Sequence, residues 1–308
     1  MSGSGSASGD TLQTIAWGFT VISVLVVLII AAMIGLAIRY STRRAREVPA
    51  DEVAREGGGL AFIYWGVGLS MPVLIAMAVW NFMATRALAQ AGAPTQLTVE
   101  VTGHRWWWEI RYLNPEHPDA IITTANQLVI PIGVPVKIEL TSADVIHDFW
   151  VPKLGPKMDM IPGKTNVTWL EARDAGSYRG QCAEYCGLEH AHMAFGVTAL
   201  PPELFARWFA AERAPATSPP SLGQAQFLDH CAACHAVRGT AAAGIYGPDL
   251  THFASRPTIA AGILTNTVAG RGHWLADTQG VKPGALMPQI ELDDVDRASV
   301  VRYLGTLR

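Results

Sequence analysis

The sequence predicts a multidomain membrane protein: a two-helix hairpin, then an all-β domain, then a small helical domain. Three observations predict it. Two uncharged apolar runs, Trp17 to Ile38 and about Leu60 to Met83, are each long enough to cross a bilayer as a helix. From Gln96 to about Leu200, short alternating or β-rich runs broken by Gly and Pro take over. Past a Pro-rich break, the remaining residues carry a Cys-x-x-Cys-His motif at Cys231 to His235 and close on an amphipathic stretch. Composition agrees: of 308 residues, half are hydrophobic and 16% charged, which leans toward a membrane component. The net charge of −3 gives no reason to expect nucleic acid.

The first 95 residues read as a tail and the hairpin, with helices at about 15–38 and 60–84. Residues 1–14 are Ser/Gly-rich and polar, so they are expected to be mobile. Pro72 falls inside the second run and predicts a kink, which a membrane helix tolerates when neighbours satisfy the backbone. Arg39, Arg43, Arg44, Arg46 and Arg55 lie between the runs, and residues 1–14 contain no Lys or Arg. The positive-inside rule then places the connecting loop in the cytoplasm and both chain ends outside, with everything past about Ala87 extracytoplasmic. A cleavable signal carries its positive charge before the apolar run; here it comes after, which predicts a retained anchor.

Residues 96–213 read as the β domain. Leu97 to Val101 alternates, and Gln127 to Pro131, Val134 to Leu140, Asn166 to Leu170 and Ala194 to Thr198 are further strand candidates. Many short strands with frequent turns predict a sandwich or barrel. Pro201 to Ala211 predicts a short helix, and Ala214 to Pro220 a linker, giving boundaries of 214–221 for the linker and 222–308 for the last domain. Asp293 to Leu307 predicts its closing helix.

Chemistry concentrates in Cys182-Ala-Glu-Tyr-Cys186-Gly-Leu-Glu-His190-Ala-His-Met193. Soft sulfur with imidazole is a copper donor set, and His147 upstream can supply a second imidazole. One copper of the blue type needs a Cys, two His and a weak Met; Cys186, His147, His190 and Met193 meet that need. Cys182 is then surplus, and its simplest use is to bridge a second copper together with Cys186. The Glu184 carbonyl could serve that second metal. Taken alone, the motif leaves structural zinc open, since two Cys and two His make a closed tetrahedral site. Cys231-Ala-Ala-Cys234-His235 reads as covalent heme c attachment, with His235 on the iron. Met287, the only methionine after Met193, is the candidate second axial ligand, with His273 the fallback. The four cysteines are thereby all assigned to cofactors.

The Cys182–Met193 run is similar to the binuclear copper A loop of subunit II of heme-copper cytochrome c oxidases. Ser142-Ala-Asp-Val-Ile-His147-Asp-Phe149 resembles that family's upstream histidine segment. Gly103-His-Arg-Trp106-Trp-Trp108 resembles its aromatic segment, and Lys157-Met-Asp-Met-Ile-Pro-Gly163 also fits. With the hairpin and the C-terminal domain, the resemblance covers nearly the whole chain. It implies a cupredoxin-like Greek-key barrel and a fused class I cytochrome c domain, in a bacterial cell membrane.

The resemblance further implies that Trp106 is the surface residue through which electrons reach copper A, although Arg105 stands where the family commonly has glutamine. It implies that the Glu184 side chain reaches a magnesium ion shared with subunit I. Gly247-Pro-Asp-Leu250 resembles the segment whose carbonyl fixes the proximal histidine of a heme. Asp144 and Asp159 are candidates for supporting the metal ligands, and His104, His117 and His192 are expected to be structural or surface histidines. Glu56 stands further from Trp65 than the family's proton-pathway glutamate does, so that role is not assigned. The implied activity is electron delivery from a soluble cytochrome c or other periplasmic donor, through heme c and copper A, to the oxygen-reducing, proton-pumping subunit I, with subunit III as a further partner. The nearest alternative is the copper A subunit of a nitric oxide reductase.

Overall fold

A computed structural model describes residues 5–44, 59–89, 97–113, 121–216 and 221–308. Arg46, Arg55, Glu56 and His117 lie outside the described residues. The chain forms two compact units: Asp10–Gln90, and Met1–Gly9 together with Ala91–Arg308.

The first unit holds most of α1 (Ala7–Arg44) and all of α2 (Gly59–Ala89). The stretches Ala7–Thr42 and Ile63–Leu88 are long and apolar enough to span a bilayer, with mean hydropathy 3.2 and 1.7. Their Leu, Ile and Val side chains face outward rather than into a protein core. The helices meet where Phe19 stacks on Trp80, with ring centroids 6.1 Å apart. Gly18 permits that approach, because a Cβ there would sit 2.2 Å from the Trp80 ring. The second helix continues through Pro72.

Both helices outrun the apolar stretches that predict them, since a helix need not stop where its residues cease to be apolar. The largest departure is at the start. The tail expected to be mobile is already helical from Ala7, because Ser6 caps it by accepting a hydrogen bond from the Gly9 amide at 2.9 Å. Gly5 and Ser6 are fixed on the second unit. The Gly5 amide donates to the Lys153 carbonyl, the Arg173 amide donates to the Gly5 carbonyl, and the Ser6 hydroxyl donates to the Leu154 carbonyl at 2.7 Å.

In the second unit, strands β1 (Thr98–His104), β2 (Trp107–Leu113), β3 (Ile122–Ala125), β5 (Val136–Ser142) and β8 (Asn166–Leu170) form one sheet in the order β3-β2-β1-β5-β8. The other sheet has the order β4-β10-β9-β6-β7, from β4 (Gln127–Pro131), β10 (Ala194–Leu200), β9 (Gly176–Cys182), β6 (His147–Trp150) and β7 (Met158–Met160). The β1–β5 and β4–β10 pairs are parallel and the other pairs antiparallel, so strands distant in sequence lie side by side. This is a cupredoxin-like sandwich.

Strands β1, β2 and β5 alternate buried and half-buried residues along their length, as a sheet with one face on a core requires. That core holds Trp108, Ile110, Tyr112, Phe149 and Phe195, the last two stacked at 4.9 Å. The Tyr112 hydroxyl accepts from the Val129 amide at 2.6 Å and donates to the Val129 carbonyl at 2.9 Å, bridging the two sheets. Burial raises the phenol's pKa and keeps it protonated, against the bond to Val129, which lowers it. Tyr112→Phe leaves both Val129 groups buried without that partner. It is expected to cost about 1–3 kcal/mol of stability, read as a lowered denaturant midpoint of the soluble fragment.

Helix α3 (Pro202–Arg213) follows the sandwich, with Trp208 and Phe209 against Tyr112. A second core is built from Phe227 of α4 (Leu222–His230), Leu250 in a loop, Leu275 of α5 (Val268–Ala276), and Val300 and Tyr303 of α7 (Asp294–Leu304), with the short α6 (Thr278–Val281) following α5. Here α4 crosses α7 at Gly223, where a Cβ would meet the Ser299 carbonyl at 2.1 Å.

The expected linker is tied down over its first part. His252 Nε2 binds the Ala214 carbonyl at 3.0 Å, and the Ala216 amide donates to the Arg238 carbonyl at 3.0 Å. Residues 217–220 lie outside the described residues. Composition marks a segment poor in secondary structure; it does not show whether the flanking surfaces bind it.

Candidate metal centre

The run from Cys182 to Met193 is the loop between β9 and β10. Cys182 closes β9, and Phe149 of β6 stands opposite it in register, which brings His147 at the start of β6 to the same place. The loop reverses at Gly187, whose φ of 117° is a left-handed value that favours glycine. A Cβ there would also press on the Trp106 ring at 3.1 Å. One 3₁₀ turn, His190–His192, then returns the chain to Met193 and β10.

The metal-binding atoms of His147, Cys182 and Cys186 all lie within 4.8 Å of one another, and all three residues are buried. The two Sγ atoms are 3.8 Å apart, far beyond the roughly 2.05 Å of a disulfide, and both thiols are free. His147 Nδ1 is 3.9 Å from Cys182 Sγ, and His190 Nδ1 is 3.5 Å from Cys186 Sγ. Met193 Sδ lies 3.8 Å from Cys186 Sγ, and the Glu184 carbonyl lies 3.2 Å from Cys182 Sγ. Each donor predicted from the sequence therefore reaches one of the two sulfurs. The set is soft, with thiolates, imidazoles and a thioether, and such a set fits copper. Among the described residues, the exposed Glu184 side chain reaches only the Tyr185 amide, at 3.2 Å.

Electrostatics favour a thiolate here. Cys182 is held well below the ordinary thiol range, first by its hydrogen bond with Cys186 and, against the cost of burial, by His147 and backbone amides. Cys186 is pushed up by the same partnership. His147 Nε2 binds Asp144 Oδ1 at 2.8 Å, which orients the ring and leaves Nδ1 toward the sulfurs. Burial, the largest single influence, would lower His147, but the bonds and charges of Asp144 and Cys182 together outweigh it and raise the imidazole. Asp144 also accepts from the Arg105 amide at 2.7 Å, so one carboxylate joins the aromatic turn to the histidine. Asp159 lies opposite Asp148 across β6 and β7; burial, then the bond to Asp159, lifts Asp148 to about 7.

Trp106 is not on the surface. It is 7% exposed, and its indole donates to the Cys186 carbonyl at 3.0 Å. Lys282 and Gly284, from the helical part of the same unit, cover it: Lys282 Nζ donates to the Trp106 carbonyl at 2.7 Å, and a Cβ on Gly284 would meet the ring at 3.5 Å. Burial pulls the Lys282 ammonium down to about 8, opposed by the Glu189 and Cys186 charges. Trp108 is core, His104 stacks on Trp107 at 4.3 Å, and His192 is an exposed partner of Glu189 at 2.7 Å. Sequence reading missed Lys282 and the buried Glu189. A Lys within a Lys-Pro-Gly turn gave no sign of a partner 176 residues away.

In the helical part, His235 Nδ1 donates to the Pro248 carbonyl at 2.8 Å, which fixes the tautomer and leaves Nε2 free to act as a ligand. Gly247 lies against the ring, where a Cβ would come within 2.6 Å. Burial lowers the His235 pKa and keeps the imidazole neutral, as an iron ligand must be. Cys231 is buried, Cys234 exposed, and neither is in a disulfide. Met287 is half-buried against this core, while His273 is exposed. These residues fit a covalently held heme.

Fold and donor chemistry together define a membrane-anchored redox subunit that pairs a copper-binding sandwich with a heme-binding helical domain. Comparison with known proteins specifies it. A family profile described as cytochrome C oxidase subunit II, periplasmic domain, matches residues 113–200, and one described as cytochrome c matches residues 220–308. The chain is 32% identical over 302 residues to the cytochrome c oxidase subunit 2 of Alkalihalophilus pseudofirmus, covering 94% of this chain and 86% of that one. It is 33% identical over 282 residues to the corresponding protein of Bacillus sp. (strain PS3), covering 82% and 76%. The crystal structure of the periplasmic domain of subunit II from Bradyrhizobium japonicum aligns at 31% identity over 40% of this chain and 97% of that one, with a TM-score of 0.37. The chain belongs to the cytochrome c oxidase subunit 2 family, with a cytochrome c domain at its C-terminus. It is thus a component of a heme-copper oxidase, associated with a membrane and with other oxidase subunits.

Proposed function

We propose that the chain is the electron-input subunit of a bacterial cytochrome c oxidase. It takes electrons from a soluble cytochrome c or other periplasmic donor at its heme domain. It delivers them to the oxygen-reducing, proton-pumping subunit I. When bound, a binuclear copper A and a covalent heme c supply reversible one-electron chemistry. The observation that carries the reading is that Trp106 contacts both the loop bearing Cys186 and the segment leading to Met287.

Cys182 and Cys186 would share the copper pair, His147 and His190 would complete its donor set, and Met193 and the Glu184 carbonyl would be its weaker donors. The exposed Glu184 side chain is free to meet a magnesium ion shared with subunit I. Cys231 and Cys234 would hold the heme covalently, and His235 and Met287 would donate to its iron. The bonds of Gly5 and Ser6 to the sandwich support the orientation read from the arginines, because the chain start and the sandwich then share one side of the membrane. Both ends and both redox domains lie outside the cytoplasm, and subunits I and III cover the hairpin.

Rapid mixing of the oxidase with reduced donor is expected to reduce the heme before the copper. Deleting residues 222–308 is expected to lower donor-driven turnover about tenfold or more while leaving the copper spectrum intact, because a tethered relay acts at high effective concentration. Copper reduced first, or full-rate turnover without the heme domain, removes the heme from the route. Consumption of oxygen rather than nitric oxide by the purified complex separates this reading from its nearest alternative.

A further inference from the structure

Lys282 is 3% exposed and donates three hydrogen bonds, all to backbone carbonyls: Trp106 at 2.7 Å, His192 at 2.9 Å and Ala260 at 3.2 Å. Three is all that an ammonium can donate. Trp106 and His192 belong to the sandwich, and Ala260 to the helical part. Beside them the Ala194 amide donates across the same seam to the Ala261 carbonyl at 3.1 Å. Ala260 and Ala261 are left-handed, with φ of 54° and 57°, a conformation rare for residues other than glycine. Such backbone persists where its surroundings over-determine it. At the far end of the seam, Arg238 donates to the Glu212 and Arg213 carbonyls at 2.6 and 3.2 Å. The two parts are thus fastened at separate places.

The Lys282 segment also leads to the heme ligand. Gly284, left-handed at φ 77°, lies on the Trp106 ring, and Met287 follows three residues later. From Gly284 the contacts run to Trp106 and on to the Cys186 carbonyl.

We infer that Lys282 is a positioning residue for internal electron transfer: it locks the Met287 segment onto Trp106, so the heme and copper sites are held at one fixed separation. The inference rests on the route proposed above. The step moves one electron, oxidising the heme iron and reducing the copper pair, with no bond or proton exchanged. A loosely tethered heme domain would instead have to find its docking position before each transfer.

The test is Lys282→Met in the intact oxidase. Amide hydrogen exchange at Ala194 reads the seam directly, and its protection is expected to fall about tenfold, the loss typical of a removed charged hydrogen-bond donor. Heme-to-copper transfer after rapid heme reduction is expected to slow, with the heme and copper spectra unchanged. Wild-type protection at Ala194, or a wild-type internal rate, overturns the inference. Lys282→Gln, which keeps a shorter donor, replaces the Met variant if that fails to assemble, with the same expected direction. In wild-type enzyme the order of reduction tests the route itself. If copper is reduced first there, the route fails while the exchange measurement still reports on the lock.

Discussion

Cys186→Ser is expected to abolish the copper pair. Its sulfur is the hub of the cluster, within 3.8 Å of Cys182 Sγ and Met193 Sδ and 3.5 Å of His190 Nδ1. A hydroxyl is too hard and too weakly acidic to bridge copper as a thiolate does. Loss of supporting residues around a metal already costs about 10–100-fold in affinity, and loss of a bridging ligand exceeds that. Metal analysis should show copper missing, electron spin resonance should lose the mixed-valence signal, and turnover should fall to background. Cys182→Ser separates the binuclear reading from a mononuclear one. A blue copper built on Cys186, His147, His190 and Met193 would survive it, whereas a bridged pair would not. A single-copper signal and a copper content both unchanged from wild type in Cys182→Ser would mean that the surplus thiol is not a bridge.

Met287→Ala is expected to produce the second-largest effect. A thioether trans to histidine raises the potential of a c-type heme, and axial ligands as a class span about 0.8 V. Removing it should lower the potential on the order of 100 mV, abolish the sulfur-to-iron absorption band, and make reduction of the heme by its donor uphill. Onward transfer to copper would stay downhill, but the donor would reduce the heme less readily, and turnover would fall. Because Met287 packs only partly into the helical core, folding should survive, and covalent attachment at Cys231 and Cys234 should be unaffected. An intact near-infrared band in the variant would assign the ligand elsewhere; His273, exposed on α5, is the residue to exchange next.

What the sequence made legible was local. The Cys182–Met193 run shows its chemistry because its donors sit within one loop. Strands such as Gln127–Pro131 and Asn166–Leu170 coincide with the observed elements, because alternation and bracketing turns are encoded nearby. Contacts between distant segments were not legible. The resemblance implies a surface Trp106, but in this chain Lys282 and Gly284 cover it from far along the sequence, which nothing near position 106 foretells. Asp144 reads as a marginal candidate until the fold sets its carboxylate between His147 and the Arg105 amide. Residues 1–14 read as mobile because a Ser/Gly composition says nothing of the bonds that Gly5 and Ser6 make to the sandwich.

Lys282 binds main-chain oxygens, and this frees the surfaces it joins. Every residue presents the same carbonyl whatever its side chain. Sequence drift at position 192 or 260 therefore leaves the acceptors in place, provided that the backbone keeps its course. A seam built from paired side chains would need matched changes on both faces to survive such drift. Arg238 joins the two parts in the same way, through the Glu212 and Arg213 carbonyls, so the side chains on either side of the seam remain at liberty to change.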